Sequence, residues 1–264
     1  TFKKENTMWS VQNNQTLTRA GTEILIPNID GLYIIDESEF GDENATYEVL
    51  FKEEFKEFGI AIVYHIETLP SGRVLLVGED YQTDTPYEGP VSFMLEKDEN
   101  GWTIVKVQTD FAFEQVVGES NSVSSDNLTM EIFQYSPSGD YIYAVVTDYS
   151  NSYVVSYLVN DDGSLSYISN VNVNDVGYID FEKNFAVSKS GEWIYYGSSF
   201  GNGYASLIGI IGVSTTTGVL SSDLKTQEVD AGSHNIQIEA LDNNQIALLS
   251  GGKLSIQSIG NNGY

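Results

Sequence analysis

Cysteine is absent from the 264 residues, so neither disulfides nor thiolate metal ligands hold this chain together, and a small disulfide scaffold is excluded. Basic residues are scarce. Lys and Arg number 12 against 38 Asp and Glu, a formal net charge of -26. A polyanion would meet repulsion over the whole surface before any specific contact, which argues against nucleic acid and anionic membrane as partners. The 2 histidines, His65 and His234, cannot assemble a multi-histidine metal centre. No apolar run approaches the roughly 18 residues of a helical membrane span. The longest, Ala205 to Val213, is strand-sized, so no membrane insertion is expected. There is no Gly-Lys-Ser/Thr P-loop, no His-Glu-x-x-His zinc helix and no Gly-x-Ser-x-Gly elbow. Helical spacing is nearly missing too. Its one instance, Leu50-Phe51 with Phe55 and Phe58 among Lys and Glu, reads either as a helix or as an outer strand with its loop.

What is present is a recurring cassette. Pro70-Ser71-Gly72 precedes Arg73-Val74-Leu75-Leu76-Val77, Pro137-Ser138-Gly139 precedes Asp140-Tyr141-Ile142-Tyr143-Ala144-Val145, and Lys189-Ser190-Gly191 precedes Glu192-Trp193-Ile194-Tyr195-Tyr196. Fainter copies are Ala20-Gly21 before Thr22 to Ile26 and Asp242-Asn243-Asn244 before Gln245 to Leu249. Each is a tight turn feeding a β-branched and aromatic run, which is strand chemistry. A second turn signal follows at Asn100-Gly101, Asp162-Gly163 and Thr217-Gly218, so each unit holds two hairpins and therefore four strands. Sheet units that cannot bury their own faces must stack on copies of themselves. The expected fold is all-β, a single-domain β-propeller over 1–264 with about five four-stranded blades.

The longest interval between cassettes is accounted for by Phe111 to Asn127, read as an extended loop between the second and third blades. The last blade runs out of chain after Lys253 to Ser258. The N-terminal Thr7-Met8-Trp9-Ser10-Val11-Gln12 resembles the outer strand Gly101-Trp102-Thr103-Ile104-Val105-Lys106 and is expected to pair there, closing the ring non-covalently.

Across Tyr135 to Val145 and Val159-Asn160-Asp161-Asp162-Gly163-Ser164-Leu165 the sequence resembles a blade of the lactonase-like and YVTN-repeat β-propellers. The match is good for the third blade and partial for the second and fourth, about half the chain. The resemblance implies the propeller fold. Phosphogluconolactonase-type members of that group would be expected to place basic and imidazole groups at the channel mouth, whereas the arginines here are Arg19 and Arg73 alone.

In a propeller the first strand of each blade lines a central channel, and the register before each turn glycine selects the lining. Five positions before the turn this gives Thr16, Glu67, Gln134, Ala186 and Glu239, and seven before it Asn14, His65, Ile132, Asn184 and Gln237. The position between is largely apolar, in Gln15, Ile66, Phe133, Phe185 and Ile238; His65, Glu67, Gln134, Asn184, Gln237 and Glu239 are the polar lining candidates. Glu67 and Glu239 facing each other could share a proton or hold Ca²⁺ with the neighbouring amides; otherwise the chain needs no cofactor. A merely solvated polar tunnel and a hydrogen-bonded structural histidine are the plainer readings. The rim loops offer Asp80, Tyr81, Asp148, Tyr149, Phe200, Asn202, Tyr204 and His234. Tyr and Asn together suit stacking on sugar faces, and ordinary turn chemistry explains the same residues. The expected function is a secreted or cell-surface module, the periplasm included, that recognises a glycan, a small polar ligand or a protein partner. The alternative is a lactone or glycoside hydrolase with its carboxylates in the channel. The chain begins at Thr1, which fits a removed signal peptide or a trimmed chain.

Overall fold

A computed structural model of the chain describes residues 3–5, 8–10, 17–28, 30–40, 42, 45–60, 62–80, 89–117, 128–147, 151–174, 185–199, 206–229, 236–242, 245–250 and 253–259. Its contacts fall into two compact units, Thr1–Phe111 with Asp161–Ser164, and Ala112–Asn160 with Leu165–Tyr264.

The first unit opens with a short hairpin, β1 (Lys3–Glu5) and β2 (Met8–Ser10), followed by two antiparallel four-stranded sheets. Sheet one comprises β3 (Thr18–Ala20), β4 (Glu23–Asn28), β5 (Gly31–Asp36) and β6 (Glu48–Leu50). Sheet two comprises β7 (Ile62–Thr68), β8 (Val74–Asp80), β9 (Gly89–Asp98) and β10 (Gly101–Gln108). Alternation gives sheet one two apolar faces. Leu25, Leu32 and Ile34 join Ile66, Leu76, Val91 and Phe93 of sheet two in one core, while Ile24, Ile26 and Ile35 form a smaller cluster on the reverse side. The first strands of the two sheets are stitched together by polar atoms. Thr68 donates its N–H to Thr18 Oγ1 at 3.1 Å and its hydroxyl to the Arg19 carbonyl at 2.9 Å.

The second unit holds sheet three, β11 (Thr129–Tyr135), β12 (Tyr141–Thr147), β13 (Ser152–Val159) and β14 (Leu165–Asn172), and sheet four, β15 (Phe185–Val187), β16 (Trp193–Ser199), β17 (Ser206–Gly212) and β18 (Lys225–Val229). Sheet five is three-stranded: β19 (Ile236–Ala240), β20 (Gln245–Ser250) and β21 (Lys253–Ser258). Among the described residues of this unit the hydrophobic seams lie between successive sheets. Tyr141, Tyr143 and Val154 pack with Phe185, Ile194, Tyr196 and Ile211, and Ala186, Tyr195 and Ile208 pack with Ile238, Ile246 and Leu248. This is the physical content of the repeat, since one sheet alone would leave both seam faces in water.

The cassette turns are wired alike. Gly72, Gly139 and Gly191 sit at φ 87°, 80° and 76°, left-handed conformations that glycine adopts without a Cβ penalty. In sheet three the buried Ser136 hydroxyl accepts the Tyr141 N–H at 3.1 Å and contacts the Ser138 hydroxyl, whose oxygen accepts the Asp140 N–H. One blade later Ser188 accepts the Trp193 N–H at 3.1 Å and contacts Ser190, whose oxygen accepts the Glu192 N–H. Sheet two has the buried Leu69 in place of the first serine; it keeps the backbone bonds from Gly72 to Leu69 and from Leu69 to Arg73, and Ser71 Oγ accepts the Arg73 N–H at 3.4 Å. Ser188→Ala should therefore destabilise the chain by about 1–2 kcal/mol, read as a lowered urea midpoint with an unchanged slope.

Two expectations are corrected here and one open reading is resolved. Met8–Ser10 does not lie along β21: β2 pairs with β1, Trp9 opposite Lys4, so the N-terminal strand is spent in a local hairpin and does not supply a fourth strand to sheet five. A two-residue connection makes that hairpin the nearest partner in sequence, with almost no loop to close. In the stretch read as either helix or outer strand with its loop, Leu50 ends the outer strand β6 and the residues after it form a helix, α1 (Lys52–Glu57), because Phe51, Phe55 and Phe58 share one side and pack into the core of the first unit. Part of the expected loop from Phe111 to Asn127 is a second short helix, α2 (Phe113–Val117), whose Val116 and Val117 are buried.

Candidate functional site

β7 carries the most defined polar pair on a first strand. His65 and Glu67 are two residues apart and so share one face, while Ile66 between them is buried in the core. His65 Nε2 stands 3.4 Å from Glu67 Oε2, with the side chains 22% and 26% exposed, sheltered yet reachable from solvent. A carboxylate beside an imidazole can accept hydroxyl protons while the ring donates or accepts, according to its tautomer.

A β-bulge sets the length of this polar stripe, a feature sequence reasoning missed. In β7 the register shifts between Val63 and His65, and in β11 between Met130 and Ile132. The inserted residues, Tyr64 and Glu131, each lie eight positions before their turn glycines, Gly72 and Gly139. A strict alternation would put Met130 on the same face as Gln134, but the bulge turns it into the core, where it is 1% exposed. The bulge leaves no single-residue signature. What could have suggested it is the pairing of the two eighth positions across successive cassettes.

The remaining lining residues divide. Gln237 and Glu239 lie on the exposed face of β19, with Ile238 and Ala240 buried on the other. Gln134 is committed elsewhere: its Oε1 accepts the Val187 N–H at 3.0 Å, tying β11 to β15, and this structural bond corrects the reading of that oxygen as a free lining group. Glu67 belongs to the first unit and Glu239 to the second. Among the described residues no three His, Asp or Glu side chains stand close enough to hold a metal ion. Asp80 ends β8 opposite Gly89. Asn184, Tyr81, Asp148, Tyr149, Phe200, Asn202, Tyr204 and His234 lie outside the described residues.

The two arginines serve the scaffold. Arg19 Nη2 pairs with Glu37 at 2.6 Å. Arg73 donates to the Asp161 carbonyl at 2.9 Å and stands 3.5 Å from Glu96. Asp162 beside it takes the Ser164 hydroxyl and N–H, and these bonds, more than the nearby Lys106, hold its carboxyl below the usual range.

No protein-family model matches the sequence, and no curated protein matches it. Solved structures do resemble the chain. The β-propeller domain of Cps50 (Swd1) from Myceliophteria thermophila superposes with a TM-score of 0.56 at 13% identity, over 90% of this chain and 68% of that one. The periplasmic gluconolactonase PpgL of Pseudomonas aeruginosa gives 0.56 at 13% identity over 93% of this chain and 57% of its own. A putative 6-phosphogluconolactonase from Bacteroides uniformis gives 0.56 at 14%, over 93% and 66%. The chain thus spans less than two thirds of either lactonase-like structure. Likeness at such identities speaks for the fold alone. The fold is an all-β propeller with lactonase-like resemblance, built among the described residues from five antiparallel sheets besides the β1–β2 hairpin.

Proposed function

We propose that the chain is a propeller recognition module, working outside the cytoplasm, that binds a small polyhydroxylated ligand such as a glycan end at the His65–Glu67 face of β7. The observation that carries this reading is the pair itself: two complementary hydrogen-bonding groups at 3.4 Å, a quarter exposed, beside the buried Ile66. One carboxylate can receive two vicinal hydroxyls while the imidazole engages a third, an arrangement suited to sugars. Both arginines are engaged by carboxylates and a backbone carbonyl, which leaves the site without the guanidinium a phosphorylated substrate would favour.

Isothermal titration against a panel of neutral and acidic sugars tests this. Glu67→Gln and His65→Asn should each weaken the ligand found by about tenfold or more, in keeping with the loss of one charged hydrogen bond, while leaving the melting temperature nearly unchanged. A panel without a ligand, or binding indifferent to both substitutions, overturns the reading. The same pair also suits a base held by a neighbouring carboxylate, so δ-lactone turnover in a pH-stat that Glu67→Gln abolishes would favour the hydrolase instead.

A further inference from the structure

Among the described residues, the two most exposed large apolar side chains are neighbours on one strand, Leu254 at 72% and Ile256 at 64%, and their strand, β21, ends the one blade with three described strands. In the other sheets the third strand is paired on both sides: β5, β9, β13 and β17 each have a fourth strand beyond them. β21 has third-strand composition and pairs with β20 alone among the described residues. Leu254 stands opposite Leu249, itself exposed, and Ile256 opposite Ala247, so the apolar surface runs across two strands and stops at an open edge. Such an edge is a template for another strand.

The charge distribution identifies the occupant. In a chain of net charge -26, the stretch from Asn243 to Tyr264 contains no Asp or Glu, and Lys253 is its single charged side chain. An acidic surface interrupted by one neutral, apolar edge is the surface on which a second copy of the same acidic chain can approach without like charges meeting at the contact. A basic partner would gain nothing here, because the edge offers it no carboxylate. The outer edges of the four four-stranded sheets are different. β6 carries Glu48, β10 carries Lys106, β18 carries Lys225 and Glu228, and β14 shows Ser and Asn with no exposed large apolar side chain.

We propose that β21 pairs antiparallel with β21 of a second copy, making one continuous six-stranded sheet across a two-fold axis at Ser255. In that register Leu254 faces Ile256 of the partner subunit and Ile256 faces Leu254 of the partner subunit, so the four apolar side chains cover one another on one face of the sheet. A two-fold contact of this kind is self-complementary and closed, and it blunts the edge that would otherwise recruit further chains. Salt should strengthen the dimer, since the bulk of the two acidic bodies repels through a screening length of about 8 Å at physiological ionic strength.

Sedimentation velocity on the intact chain, from micromolar to hundreds of micromolar and at low and high salt, is the first test. A monomer–dimer equilibrium that shifts toward dimer with salt is expected. Ile256→Lys and Leu254→Lys should each weaken it by about tenfold or more, with circular dichroism and melting temperature retained, both side chains being largely in water already. The register is read by cross-linking. Because the chain has no cysteine, Leu254→Cys and Ile256→Cys proteins oxidised separately should stay uncoupled, and their mixture should give a disulfide-linked dimer. A monomer at every concentration and salt, or a dimer indifferent to both lysine variants, overturns the proposal; cross-linking of either cysteine variant alone overturns the register.

Discussion

Gly209→Ala should lower the stability of the chain by about 3–5 kcal/mol, the range expected when a large aromatic is driven from a core. Gly209 lies in β17 directly opposite Tyr196 of β16, and the Tyr196 ring lies over it. A Cβ at Gly209 would fall inside the ring, against Cζ, Cε1 and the hydroxyl oxygen. Tyr196 cannot move aside cheaply, being fully buried in the seam with Tyr141, Tyr143 and Phe185. The ring must leave the seam or the strands must part. Denaturant titration of Gly209→Ala, Tyr196→Leu and the double variant checks this, since a clash at one contact makes the double variant lose much less than the sum of the singles. Additive losses would show that the ring does not need the glycine.

Phe55→Ala is expected to cost the first unit about 3–5 kcal/mol as well. Phe55 is the fully buried residue of α1, stacked on Phe93 with ring centroids 5.3 Å apart and an interplanar angle of 26°, while Phe58 meets the same Phe93 edge-on at 5.7 Å. Its carbonyl also accepts the Ile60 N–H at 2.9 Å and so closes the helix end. Truncation opens a cavity against Phe93 in the core that Leu25, Leu32 and Leu76 share. Phe55→Leu keeps most of the volume and should lose clearly less. Calorimetry on both variants separates the cases, and a Phe55→Ala loss below about 1 kcal/mol would mean that α1 does not anchor this core.

The order of strands was legible because it rests on local chemistry. Glycines at left-handed φ feed runs such as Tyr141–Thr147, and those runs are strands in the expected places. The apolar positions Ile66, Phe133, Phe185 and Ile238 were readable for the same reason, since alternation in a first strand depends on its neighbours two residues away. The rest depended on competition between distant segments. Trp9 has the composition of an outer strand, but composition does not say which edge it meets, and Lys4 is closer along the chain than Lys253. Phe55 could serve a strand or a helix equally well until Phe93 fixes what it must touch. At the candidate site, His65 and Glu67 were visible as a same-face pair, whereas the commitment of Gln134 to Val187 could not be read from a sequence that shows polarity without partners.

The serine relays at Ser136 and Ser188 also bear on the order in which the molecule assembles. Their bonds span two to five residues, so the corners joining β11 to β12 and β15 to β16 can close before any seam exists, on the microsecond scale of an isolated hairpin. At the β7–β8 corner Leu69 offers no hydroxyl, and the turn closes on its backbone bonds and on Ser71 Oγ, which accepts the Arg73 N–H at 3.4 Å. The corners of the third and fourth blades thus carry local side-chain bonds, from Ser136 and Ser188, that the second blade's corner lacks.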